Sequence, residues 1–308
     1  LRKVHQKESY DGTVKFLFLG KDNAKVESVI IPEGDKWTAC LSSQSGCALG
    51  CKFCATAMMG FVRNLTTGEI VAQLILMEKT LKRRMTHIVF MGMGEPLLNR
   101  QALESALRIF VHPLGLALSR RRITISTVGW LPGIKALNNG VNKDQGVSIS
   151  YSTSPNSFSS SHQPPYPLVK LAVSLNATTD EKRKQLMPLA SRYPIEEILK
   201  EAAQYQRLSG LKVTINYLLL GGVNDTPGDA RQLAHWAKRF GFKVNVMEFN
   251  ETGSEFRSSP AETRERFTEV LWRMGVRCTV RTSRGKDIQA ACGQLAGKWQ
   301  ITDTCSIG

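Results

Sequence analysis

The sequence predicts an α/β fold of six strand–helix units, arranged as an open, partial (β/α)6 TIM-like barrel with an N-terminal β-hairpin extension. Three observations carry that prediction. Apolar strand candidates recur over 87–91, 123–128, 168–175, 213–219, 243–249 and 276–281. Helical patterns over 101–110, 194–208, 229–240 and 261–274 fall between most of them. An extended run over 37–43 delivers the chain to a loop rich in glycine and cysteine. Strand and helix in alternation imply a parallel sheet with right-handed crossovers, and six units are too few to close an eight-stranded barrel. In such folds chemistry gathers at the carboxyl ends of the strands.

Residues 1–36 carry two short apolar runs, Val14-Lys-Phe-Leu-Phe-Leu19 and Val26-Glu-Ser-Val-Ile-Ile31, around the turn-forming Gly20-Lys-Asp-Asn23. These predict the hairpin. Glu27 lies on its second strand and by itself reads as a solvated strand residue. The core then runs over 37–298. Within it Thr66 or Thr67 can cap a helix with Glu69 in the first turn, followed by the apolar stripe Ile70, Val71, Leu74, Ile75 and Met77. Residues 138–167 break the rhythm. Their Ser/Pro/Gly composition offers little apolar surface to offset ordering entropy, which predicts a disordered insert. Residues 299–308 read as a C-terminal tail.

Charge narrows the choice of partner. Among 308 residues, 41 Lys and Arg face 26 Asp and Glu, a net charge of +15. Such an excess suits a polyanion, most simply RNA or DNA. Lys82-Arg-Arg84 and Arg120-Arg-Arg122 are the candidate contacts, although basic runs are more often solvated faces. No run of about 18 apolar residues is present, so no membrane span is expected. A monomer is expected. Seven cysteines, three of them closely spaced, suit a reducing compartment. The chain begins at Leu1 without a methionine or signal-peptide pattern and reads as a fragment or processed product. The cytoplasm is the expected location, or a chloroplast or mitochondrion where an upstream transit peptide has been lost.

The chemistry centres on Cys47-Ala-Leu-Gly-Cys51-Lys-Phe-Cys54. Three thiolates in C-x3-C-x2-C spacing can face one inorganic centre, and Gly46 and Gly50 let the backbone curl around it. A disulfide would leave one thiol over, and a structural zinc site would want a fourth ligand nearby. Cys40 is seven residues upstream, and the first histidine downstream is His87. Three ligands on a four-iron cluster leave one iron open to a substrate or cofactor. The loop is similar to the cluster-binding loop of the radical S-adenosylmethionine (SAM) superfamily, which implies a 4Fe-4S cluster whose open iron chelates SAM. Met91-Gly-Met-Gly94-Glu95-Pro96 resembles the Gly-Glu-Pro motif of the same superfamily, in which the acidic residue holds the SAM amino group.

Longer stretches resemble the RlmN/Cfr family of RNA adenine methyltransferases: Cys40-Leu-Ser-Ser-Gln-Ser-Gly-Cys-Ala-Leu-Gly-Cys-Lys-Phe-Cys54, Arg63-Asn-Leu-Thr66, Met91-Gly-Met-Gly-Glu-Pro-Leu-Leu-Asn99 and Arg284-Gly-Lys-Asp-Ile-Gln-Ala-Ala-Cys-Gly-Gln-Leu-Ala-Gly297. The resemblance implies methylation at C2 of adenine in large-subunit ribosomal RNA, with transfer RNA as a further substrate. It implies that Cys292 is first methylated, that a 5'-deoxyadenosyl radical takes hydrogen from that S-methyl group, and that the carbon radical adds to the base. Cys40 would then resolve the RNA adduct by forming a disulfide with Cys292, and Glu27 would accept the proton. Gly94, Glu95, Ser126, Ser174, Leu175, Asn176 and Asn250 match SAM-binding positions. An electron donor such as flavodoxin or ferredoxin is implied. The chain departs from the family where Asn176 replaces a usual histidine, since an amide cannot titrate. It also starts close to the hairpin, where the family's small N-terminal RNA-binding domain would precede it. Competing readings are C8 methylation, as in the Cfr branch, a catalytically impaired RNA-binding homologue, and a zinc or redox module. Cys278 and Cys305 receive no role.

Overall fold

The apolar strands lie side by side in one ten-stranded sheet of the computed structural model, which describes residues 1–140, 167–296 and Trp299. The first three strands, β1 (Arg2–Glu8), β2 (Val14–Leu19) and β3 (Lys25–Glu33), form an antiparallel meander. β3 also pairs antiparallel with β4 (Lys36–Cys40), so the expected hairpin gains a third strand and continues into the main sheet. A two-stranded ribbon of β5 (Gln44–Gly46) and β6 (Phe61–Asn64) brackets the cysteine loop and the short helix α1 (Ala55–Met58).

From β4 onward the described strands of the ten-stranded sheet run parallel. After α2 (Thr67–Leu81) come β7 (His87–Phe90), α3 (Arg100–Val111), β8 (Ile123–Thr127) and α4 (Leu131–Asn139). The second half holds β9 (Lys170–Ser174), α5 (Asp180–Leu186), α6 (Ile195–Ser209), β10 (Thr214–Leu219), α7 (Pro227–Phe240), β11 (Lys243–Glu248), α8 (Ala261–Arg273) and β12 (Cys278–Arg281). The order β4-β7-β8-β9-β10-β11-β12 gives the six β/α units of an open barrel, with β1 and β12 as the sheet's edges.

Local chemistry places the helices. Thr66 accepts from the Glu69 N–H while Glu69 accepts from the Thr66 N–H, a reciprocal cap that satisfies two otherwise orphaned donors of α2. Thr226 and Asp229 do the same for α7, with Pro227 in its first turn and Gly241 at φ 68° ending it. A continuous core of side chains such as Phe16, Ile70, Leu107, Ile134, Leu199 and Leu233 fixes the helices against the sheet. Of the expected insert, Asn138 and Asn139 belong to α4, and the Asn138 amide donates to Glu201. Residues 141–166 lie outside the described residues, as does the tail apart from Trp299.

Candidate active site

The carboxyl ends of the parallel strands open onto one cavity, as the fold class requires. Its wall includes Cys47, Cys51 and Cys54 from the loop after β5, Gly94 and Glu95 after β7, Ser126 on β8, Ser174 and Asn176 at β9, and Cys292 from the C-terminal segment. The loop is built for this curl. Gly46 has φ 76°, and a β-carbon there would strike the Gly60 carbonyl, to which the Cys47 N–H is bonded at 2.9 Å. Gly94 has φ 93°, and a β-carbon would lie 2.5 Å from the Gln44 side chain. Gln44 instead accepts the Glu95 N–H at 2.9 Å.

Cys292, 238 positions beyond Cys54 in the chain, reaches the loop through direct bonds. The Ala55 N–H donates to the Gly293 carbonyl at 2.8 Å, and the Thr56 hydroxyl to the Leu295 carbonyl at 2.5 Å. Cys292 is exposed and lines the open cavity. Cys40 sits behind the wall, buried with Val29, Met93, Ala290 and Leu295, the last two flanking Cys292. Burial pushes both thiols above their usual range. Cys292 adds to the upward push on Cys40, while the Arg281 cation pulls both down. Cys40 thus packs against residues on both sides of Cys292 in the chain.

Glu27 departs from its expected exposure. It is fully buried, because β3 is an interior strand and the C-terminal segment covers it. Lys15 pairs with its carboxylate at 3.2 Å, the Ala296 N–H donates to it at 3.0 Å, and the Trp299 indole N–H donates to the other oxygen. It lies outside the cavity wall and anchors the segment that carries Cys292. Glu95 is buried in the wall itself. Desolvation raises its pKa to about 7, against the opposing bonds from the Val128 and Leu97 N–H groups at 2.9 and 3.0 Å. A near-neutral carboxyl in an enclosed wall is poised to meet a cationic group.

The remaining positions divide. Ser126 and Ser174 share a 3.2 Å hydroxyl contact. Leu175 is buried in the core, and its carbonyl accepts from Arg183. Asn176 adopts φ 55°, a left-handed backbone that asparagine tolerates well. Its side-chain oxygen accepts the Leu218 N–H at 3.0 Å, so the amide braces β9 against β10. Asn250 donates weakly to the Cys292 carbonyl at 3.4 Å. Sequence reasoning missed Asn216, which donates to Ser126 and accepts from Asn245 inside the strand rung Ser174, Asn216, Asn245 and Thr279. An asparagine between Ile215 and Tyr217 in an apolar strand was the available signal. It also missed α5 and Arg183.

A family model described as the radical SAM superfamily matches residues 41–153. The crystal structure of a radical SAM methyltransferase from Sphaerobacter thermophilus aligns with TM-score 0.83 at 39% identity, over 96% of this chain and 81% of that one. The dual-specificity RNA methyltransferase RlmN of Geobacter sulfurreducens is 43% identical over 291 residues, covering 94% of this chain and 73% of that protein. The chain belongs to the RlmN family. The RlmN of Anaeromyxobacter dehalogenans is 39% identical across 97% of this chain and 76% of its own length. Streptococcus suis SuiB bound to S-adenosylmethionine, at 14% identity and TM-score 0.53 over 83% of this chain and 53% of that one, shares the fold alone.

An RlmN-family enzyme uses a 4Fe-4S cluster and SAM, and the residues present fit both. Among the described residues no three His, Cys, Asp or Glu side chains converge on a single ion. The three loop thiols instead line one cavity, an arrangement suited to a cube whose irons occupy separate corners. Asn250, bonded to the Cys292 carbonyl beside the site, keeps a buried Oδ1 without a partner. A buried acceptor left open in this way can meet a ligand donor. Cys47, Cys51 and Cys54 would hold the cluster, and Glu95, Asn250 and the Ser126–Ser174 pair would meet the polar parts of SAM.

Proposed function

We propose that this radical SAM methyltransferase transfers a methyl group to C2 of adenine in large-subunit ribosomal RNA, and to transfer RNA, through an S-methylated Cys292. The observation that carries this reading is the convergence of Cys292 on the wall that holds Cys47, Cys51 and Cys54, with Cys40 behind it. When bound, the cluster and SAM supply the one-electron chemistry needed to attack an electron-poor aromatic carbon. The chain's own residues carry and release the methyl group. Cys292, which lines the cavity and is exposed, would present a methyl thioether to a base entering there. Cys40 would attack the Cys292 sulfur as a thiolate, breaking the S–CH2 bond with its electron pair passing to the adenine-bound carbon, which takes up a proton as the RNA leaves; the Cys40–Cys292 disulfide that remains must be reopened by a thiol reductant. Glu27 would accept the proton only after the bonds from Ala296 and Trp299 part, which ties proton acceptance to movement of the segment bearing Cys292. The relatives' designation as dual-specificity RNA methyltransferases supports an RNA substrate.

The test is anaerobic reaction of the reconstituted enzyme with ribosomal RNA fragments and transfer RNA, followed by nuclease digestion and mass spectrometry against authentic nucleosides. 2-Methyladenosine is the expected product. A product that is 8-methyladenosine alone refutes the C2 assignment.

A further inference from the structure

Arg183 is an ionised side chain in an unusual place. It lies on α5, which docks onto the cysteine loop through the Lys52 N–H to the Leu186 carbonyl at 3.0 Å and through packing of Leu49, Cys51 and Phe53 with Leu186 and Met187. The guanidinium is fully buried and donates to three main-chain carbonyls, those of Leu175 at 3.0 Å, Val128, and Ala190 at 3.4 Å. Its Nε has no partner, and among the described residues no carboxylate stands within ion-pair distance. Lys15, by contrast, is buried with Glu27 as its counter-ion. Burial pulls the Arg183 pKa down to about 10, which still leaves it charged at neutral pH. A buried charge with carbonyl dipoles but no counter-ion is costly.

The docking of α5 points to the missing counter-ion. Cys51 packs in one cluster with Leu186 and Met187, three and four residues beyond Arg183 on the same segment, and the neighbouring Lys52 N–H is bonded to the Leu186 carbonyl. With its thiols neutral, the loop gives the cation nothing to balance. Ligated as thiolates around an iron–sulfur cube, the same loop becomes anionic, and more so when the cube takes up an electron. We propose that Arg183 is the buried counter-charge of the cluster, a positioning residue that favours the reduced state while tying the ends of β8 and β9 together. The two tasks share one side chain. The carbonyls it grips belong to Val128, whose N–H holds Glu95, and to Leu175, between Ser174 and Asn176. This inference rests on the cysteine triplet holding a cluster.

The experiment compares the wild-type chain with Arg183→Met and Arg183→Lys, each reconstituted anaerobically. Iron and sulfide content is assayed, and the cluster is titrated with dithionite against redox mediators under electron paramagnetic resonance. Melting temperatures are taken with and without the cluster. Arg183→Met is expected to shift the reduction potential to more negative values and to shrink the melting-temperature gain that the cluster provides. Arg183→Lys keeps the charge but loses the planar fork, so the cluster-free melting temperature should fall while the potential stays near wild type. A folded Met variant with wild-type potential and an undiminished gain would overturn the inference. So would a Lys variant whose potential moves despite the retained charge, and this second arm decides the matter if the Met variant does not fold. A wild-type chain that binds no iron or sulfide would instead sink the cluster reading itself.

Discussion

Glu95 and Glu27 are both buried carboxyls with different partners. Glu95 has two N–H donors and, among the described residues, no cation within ion-pair distance, so burial dominates and its pKa rises from 4.5 to about 7. The folded, cofactor-free protein therefore binds a proton that the unfolded chain releases earlier. Its contribution to stability is complete below pH 4.5 and is lost as pH rises through about 7. A cationic amino group arriving at Glu95 reverses the preference, so SAM affinity should increase from pH 6 to pH 8, by at most about tenfold per unit below the carboxyl's pKa. Calorimetric titration of SAM across that range should show the slope in wild type and a flat profile in Glu95→Gln. Glu27, in contrast, is matched by Lys15 in a dry ion pair. Glu27→Leu should cost about 3–5 kcal/mol by leaving the ammonium unpaired, and Lys15→Met added to it should recover much of that loss. Denaturant melts of the two single variants and the double variant measure the coupling. Additive losses would show that the pair does not interact.

At the scale of elements, the glycine at position 94 sits at φ 93°, where any other residue would be strained. Gly94→Ala meets both a positive φ and the Gln44 side chain, so it should destabilise by about 1–3 kcal/mol and loosen the Gln44 bond that holds Glu95. Chemical denaturation together with SAM titration should show both losses, whereas Gly68→Ala, inside α2, should show neither. Much of this level was legible in the sequence. The cysteine loop, the strand rhythm and the Thr66 cap declare themselves through residue types whose local chemistry decides the outcome. What escaped was set by tertiary contact. β1 reads Arg-Lys-Val-His-Gln-Lys-Glu, an exposed edge strand with no apolar alternation to mark it. α5 reads Asp-Glu-Lys-Arg-Lys-Gln-Leu and looks like a solvated charge run, yet Arg183 is fully buried and donates to the Val128, Leu175 and Ala190 carbonyls. Glu27 looked solvated because nothing in its strand reveals that the C-terminal segment, more than 260 positions away, closes over it.

For the whole molecule, a charge of +15 makes RNA affinity depend on salt, but the basic runs do not contribute equally. Arg83 stacks on Trp37 at 4.5 Å and Arg120 donates to the Leu168 and Ser209 carbonyls, so these two serve the fold, while Arg84 stays exposed beside Glu78 at 3.5 Å. Lys82, Arg121 and Arg122 remain exposed. Neutralising about four phosphates predicts a roughly hundredfold loss of RNA affinity between about 50 and 200 mM salt. Filter-binding across salt should show that slope, reduced in an Arg121→Ala/Arg122→Ala variant and unchanged by Arg83→Ala, whose effect belongs to stability.

The account stands on the thiol of Cys292 being the way-station for the transferred methyl group. Its most direct test is tandem mass spectrometry of the Cys292 peptide from protein reacted with methyl-labelled SAM, with the RNA product followed in the same samples. The prediction is labelled S-methylcysteine at Cys292 before RNA is added and labelled 2-methyladenosine in the RNA afterwards. RNA that becomes methylated while Cys292 never carries the label, or by a Cys292→Ala protein, would contradict it.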